Sequence, residues 1–161
     1  MDQNMTKEDK IIFTRRITQG NRSDIIVVLF DIYFAYEEDA RRALSSEDRQ
    51  GFADSLEHME QVADHLKQAL DFTYELSAQL FALYDYVHRC LAKAGYRHRD
   101  QELDEASGVM KELREAFIEV AKADDSASQM QNAQTVVAGY TYGRGSLNEV
   151  TEGDRNRGFF A

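Results

Sequence analysis

The amino-acid sequence predicts an all-α protein: an antiparallel up-down four-helix bundle with an N-terminal arm and an extended C-terminal tail. Three observations carry that expectation. Proline is absent from the 161 residues, where average usage of about 5% would give roughly eight, and a chain free of proline can run long unbroken helices. Apolar residues recur at steps of three and four through four successive segments, which is the helical period. No alternation of period two lasts long enough to propose a strand.

Residues 1–22 are predicted to form an arm, a polar stretch punctuated by Ile11, Ile12, Phe13 and Ile17. The first bundle helix is expected from Ser23 to about Leu44, with Ser23 as N-cap and Asp24 in the first turn. From Ile25 to Tyr36, eleven of its twelve residues are apolar, Asp31 being the break. A helix apolar all round has to be covered all round. The second helix, about Glu47 to Leu70, carries one stripe of Phe52, Leu56, Met59, Val62 or Ala63, Leu66 and Leu70. The third, about Glu75 to Ala94, aligns Leu76, Leu80, Leu83, Tyr84, Val87 and Leu91, and Phe81, Tyr86 and Cys90 widen that surface. Gly95 is expected to end it as a C′ glycine. The fourth, about Asp100 to Lys122, places Leu103, Ala106, Met110, Leu113, Phe117 and Val120 in phase, with Asp100 as its cap. Short connections make neighbouring helices antiparallel, so residues 23–124 are assigned to the bundle. Residues 125–161 hold five of the nine glycines and are expected to lie outside the core. They form a weakly ordered tail, or one that docks through Tyr140, Tyr142 and Leu147.

Charge and cysteine content exclude several classes. Lys and Arg number 19 against 29 Asp and Glu, a net charge of −10 with a pI near 4.8. That balance argues against nucleic acid and against an anionic membrane surface. The one cysteine, Cys90, excludes an internal disulfide and suits a reducing compartment. Met1 to Lys10 has no apolar h-region, and the twelve-residue run at Ile25 to Tyr36 falls short of the roughly 18–20 needed to cross a bilayer. The expected location is cytoplasmic.

No catalytic constellation is present, so no enzyme and no cofactor is expected. A di-iron bundle needs Glu-x-x-His on two helices, and Asp85-x-x-His88 is the only carboxylate–histidine pair at that spacing; no metal is expected. His58 and His65 fall on one face beside Asp54, Glu57 and Asp64, read as a solvated face. His65-Leu66-Lys67-Gln68-Ala69 bears a faint likeness to a phosphotransfer histidine motif, which leaves a phosphorelay bundle as one alternative function. Cys90 on an apolar helix is read as a core residue.

Apolar surface exceeds what one stripe per helix consumes, on the first helix and on the third. Each large apolar side chain left in water forfeits roughly 1.5–3 kcal/mol of burial. The cover for it is a neighbouring helix, the chain's own extensions, a second copy in a helical dimer, or a partner's amphipathic segment.

One ordered set of motifs is more specific. Leu70-Asp71-Phe72 precedes Glu75-Leu76-Ser77 and then Leu80-Phe81-Ala82-Leu83-Tyr84-Asp85-Tyr86-Val87; Leu29-Phe30-Asp31 lies in the first helix behind Ser23. With Phe13 and Ile17 upstream, this order resembles the flagellin-specific export chaperone, the FliS family, over about residues 13 to 122. The sequence departs from the family pattern at Asp24, Phe30 and Ile32, where the family carries Pro, Tyr and Gly. The resemblance implies a non-enzymatic chaperone that holds the disordered C-terminal region of flagellin in apolar grooves, prevents its polymerisation and presents it to the export gate. It also implies that Phe13 and Ile17 belong to an arm covering part of the groove. The groove residues expected here are Ile25, Val28, Leu29, Ile32 and Tyr33 of the first helix, with Phe81 and Tyr86 of the third.

Overall fold

In the computed structural model, residues 5–126 are described; the predicted tail beyond them lies outside the described residues. Helix begins inside the predicted arm. Thr6 and Asp9 form a reciprocal cap, the Thr6 hydroxyl accepting from the Asp9 N–H and the Asp9 carboxylate from the Thr6 N–H, both at 3.1 Å. This satisfies two otherwise orphaned donors and starts α1 (Lys7–Gln19). The second helix, α2 (Arg22–Ser45), starts on a box of the same kind. Asn21 accepts from the Asp24 N–H at 2.9 Å, and Asp24 from the Asn21 N–H at 3.0 Å. The N-cap is therefore Asn21 and not Ser23, whose hydroxyl instead donates to the Asp124 carboxylate.

Asp48 caps α3 (Arg49–Gln68) by accepting from the Gly51 N–H at 2.9 Å. The next helix, α4 (Leu76–Arg97), does not stop at Gly95 but runs through it to His98, which takes the left-handed conformation at φ 52°. Gly95 serves close packing instead: a Cβ there would stand 3.3 Å from Leu56 Cδ1 of α3. Arg99, not Asp100, occupies the N-cap of α5 (Asp100–Ala123), without a side-chain cap bond. Asp100 and Glu102 lie in its first turn, where the helix dipole favours acids. Glu102, buried, pins the α4–α5 turn to Arg97 at 3.0 Å and Arg99 at 2.9 Å.

The described residues thus form five helices and no strand. Of these, α2 packs on α3 and α5, and α4 bridges α3 and α5 on the other side. Phe30, Tyr33, Phe52, Met59, Leu66, Tyr84, Leu91, Leu103 and Met110 are fully buried between them. Among helices, α1 rests on α2 alone, burying Phe13 and Ile17 beneath it. Two polar ties hold it there. The Met5 N–H donates to Asp39 at 2.7 Å, and Arg16 meets Asp31 at 2.6 Å. Asp31 is also held by Arg114 of α5 at 2.6 Å, so one carboxylate joins three helices. Gly20 connects α1 to Asn21, and a Cβ at Gly20 would meet Asp24 Cβ at 2.7 Å and the Arg16 carbonyl oxygen at 2.9 Å.

Candidate partner-binding surface

The predicted groove residues separate into two groups. Val28, Leu29, Ile32 and Tyr33 are core residues, exposed by 3% or less, and Ile25 is half-buried. No residue from Ile25 to Tyr36 is exposed. Their burial has a plain cause: α2 has neighbours on three sides, α1, α3 and α5, and its apolar side chains are covered within the chain. Phe13 and Ile17 supply part of that cover from α1. Phe81 and Tyr86, in contrast, reach solvent.

Open apolar surface concentrates between residues 72 and 86. Phe72, Tyr74, Leu76, Phe81, Leu83 and Tyr86 are all exposed, Phe72 at 62% and Phe81 at 43%. The stripes predicted for the third and fourth helices explain where. On α4, Tyr84, Val87 and Leu91 are buried, Leu80 is half-buried and Leu76 is open. On α5, Leu103, Ala106 and Met110 are buried, Leu113 and Phe117 half-buried and Val120 open. The core therefore loosens where α4 begins and α5 ends. A cleft of about 260 Å³ lies there, with Ile26 of α2, Leu66 and Leu70 near the end of α3, Leu80 and Tyr84 of α4, and Phe117 and Val120 of α5 in its walls.

The α3–α4 connection frames this cleft and is itself fixed. Arg22 donates to the Ala69 carbonyl at 2.9 Å, satisfying an acceptor at the end of α3. Ser77 donates to the Asp71 carbonyl at 2.6 Å. The Asp71 carboxylate accepts from the Thr73 hydroxyl and N–H, and those bonds hold its pKa below the usual carboxylate value. Phe72 and Phe81 pack with ring centroids 6.0 Å apart, and Lys67 Nζ sits 5.1 Å from the Phe81 ring centre, a cation–π distance. Lys67 also pairs with Asp85 at 3.2 Å. Tyr86 belongs to another flank. Five residues from Phe81, it is turned about 140° around the helix, toward Cys90 and Glu105. Phe81 and Tyr86 therefore line opposite sides of α4 and not one trough.

Periodicity missed Phe72 and Tyr74, which stand in the connection outside any helical stripe. It also missed the Asp31 junction, whose signal was a lone acid in an apolar run.

Among the described residues the titratable groups are engaged in packing and ion pairs. His65 is half-buried in α3 and burial lowers its pKa; Asp64 opposes this. His58 is likewise half-buried, edge-on to Tyr36 at 4.5 Å between ring centres, and burial lowers its pKa against the pull of Glu57 and Asp54. The expected solvated histidine face is thus partly covered, because α3 turns this flank toward α2. Cys90 is buried, which pushes its thiol pKa up. Asp85 is engaged by Lys67 and Arg89, while His88 Nε2 stands 3.0 Å from Asp64. Among the described residues no group of His, Cys, Asp and Glu is arranged to hold a metal ion, and no helix is long and apolar enough to cross a membrane.

No curated protein matches the chain. Residues 7–124, which span all five helices, match the family model for flagellar protein FliS.

Proposed function

The chain belongs to the flagellar protein FliS family, and from that premise we propose that it is a cytoplasmic flagellar export chaperone that holds the C-terminal region of flagellin on its apolar helix surface. Held in that way, the subunit is kept from polymerising and is presented to the export gate. In this reading α2 to α5 act as an antiparallel four-helix receptor, residues 23–124, and residues 1–22 act as a covering arm. The client first engages the open strip from Phe72 to Phe81 and the adjoining cleft. When α1 lifts, Phe13 and Ile17 leave the face of α2, and Val27 and Val28 become a second contact surface.

The observation that carries the reading is the set of large apolar side chains left uncovered around the start of α4, on a chain whose net charge is −10. An amphipathic segment laid there regains roughly 1.5–3 kcal/mol for each large side chain it buries. A client that folds as it binds needs such a surplus to offset its ordering entropy. Sedimentation of the chain with a flagellin C-terminal peptide should give a 1:1 complex. Phe81→Asp, at an exposed site, should weaken that complex at least about tenfold while the chain still unfolds cooperatively. No complex at tens of micromolar, or wild-type affinity in Phe81→Asp, would overturn the reading. Concentration-dependent self-association abolished by the same substitution would replace the client with a second copy of the chain.

A further inference from the structure

The chain leaves α5 at the mouth of the end cleft. Asn21 Nδ2 donates to the carbonyls of Asp124 and Ser126, each at 3.2 Å, and the Ser23 hydroxyl donates to the Asp124 carboxylate. Ser126 closes back on the same carboxylate through its N–H at 3.0 Å. Arg22 and Ser23, which flank these contacts, line the cleft. Residue 126 is therefore fastened beside the apolar opening, and the thirty-five residues 127–161 follow from that point.

The composition of those residues suits the opening. Residues 127–143 contain no charged side chain and include Met130, Val136, Val137, Tyr140 and Tyr142. Over 127–161 the charges cancel, Arg144, Arg155 and Arg157 against Glu149, Glu152 and Asp154, so the whole net charge of −10 resides on residues 1–126. A neutral segment approaches an acidic body without repulsion and enters an apolar cleft without desolvating a charge. Its reach is ample: ten residues separate Ser126 from Val136, up to about 33–36 Å when extended. A helix with its side chains is only about 10–12 Å wide. Tethering places the segment at an effective concentration near the millimolar range, so even weak apolar contacts hold it on the surface.

We infer that the segment from Val136 to Tyr142 occupies the end cleft of its own chain, covering Ile26, Leu70, Leu80 and Val120, and that a client has to displace it. The docking stands on the exit point and the cleft; the competition rests in addition on the proposed chaperone function.

The test uses the full chain with a photo-cross-linking residue at position 140, and peptide mapping reads the adduct. An intramolecular link to residues 66–84 or 117–120 is expected. Links elsewhere, or links between two molecules, overturn docking in cis. In parallel, a chain carrying Val136→Asp, Val137→Asp, Tyr140→Ser and Tyr142→Ser should exchange its amide hydrogens at residues 76–84 at least about fivefold faster than wild type. Equal exchange overturns the proposal as well. The same variant should bind the flagellin peptide about tenfold more tightly. Unchanged affinity alongside a cis cross-link removes the competition and keeps the docking. A cross-link with no flagellin binding by either protein removes the chaperone reading alone.

Discussion

Ile17→Ala should detach α1 from α2 while the other four helices stay folded. Ile17 is fully buried, and α1 rests on no helix other than α2. Truncating a buried isoleucine to alanine costs about 2–5 kcal/mol, least where the surroundings relax into the space. Here they relax readily, because α1 packs on a single helix and can settle toward α2 into the vacated space. The expected loss is therefore about 2–3 kcal/mol, which raises the undocked population of α1 by about 30- to 150-fold. The remaining ties, Phe13, Met5 to Asp39 and Arg16 to Asp31, set how much docking survives. Native-state hydrogen exchange reads the effect at the amides of residues 11–19, and chemical denaturation followed by hydrogen exchange in α3 and α4 reads the rest. Faster exchange confined to α1 is the expected result. Unaltered α1 protection, or an equal loss of stability throughout the chain, would refute the reasoning that α1 opens as a separate unit.

Two more predictions follow from burial. Leu29→Asp places a charge in the core of α2, where Leu29 is 3% exposed; the lost packing and the stranded carboxylate together cost about 5 kcal/mol or more. Circular dichroism should show loss of cooperative unfolding, and a folded Leu29→Asp chain with the wild-type midpoint would return that residue to a surface groove. Burial lowers the pKa of His58 and His65, so just below the usual value of 6.5 the unfolded chain binds more protons than the folded one, and stability falls with pH through that window. The urea midpoint should be lower at about pH 5.5 than at about pH 7.5, and His58→Asn with His65→Gln should narrow the gap; an unchanged gap would contradict this assignment.

Some of this architecture was legible in the residues themselves. The stripe from Phe52 to Leu66 keeps strict three/four spacing, and all its members are buried. One helix start, Asn21, differs from the expected Ser23 and another, Thr6, lies in the expected arm, although both carry a signal. Thr6 stands three residues before Asp9, and Asn21 three before Asp24; the reciprocal bond decides between competing caps such as Asn21 and Ser23. The helix over residues 7–19 was hidden because only Phe13 and Ile17 mark its buried side, while Ile11 and Ile12 point out of phase and are exposed. Groove residues were harder still. A run apolar on every side announces burial but not what buries it, and for α2 part of the cover is α1, which Val28 and Leu29 do not disclose. The open strip was only partly readable, since Phe72 and Tyr74 owe their exposure to a connection whose path is set by Arg22, Thr73 and Ser77.

The crowding around Gly20 has a mechanical consequence. With only Gly20 and Asn21 between the two helices, and with no room at Gly20 for even a methyl group, α1 has no slack with which to slide along its neighbour. In the proposed lifting it would swing as a door does, on one pin, with thirteen helical residues carrying its free edge through an arc of about 20 Å radius. In that motion Arg114 would stay with Asp31 as Arg16 departs, so the frame would not be left with a bare negative charge when the leaf stands open, and the latch could close again.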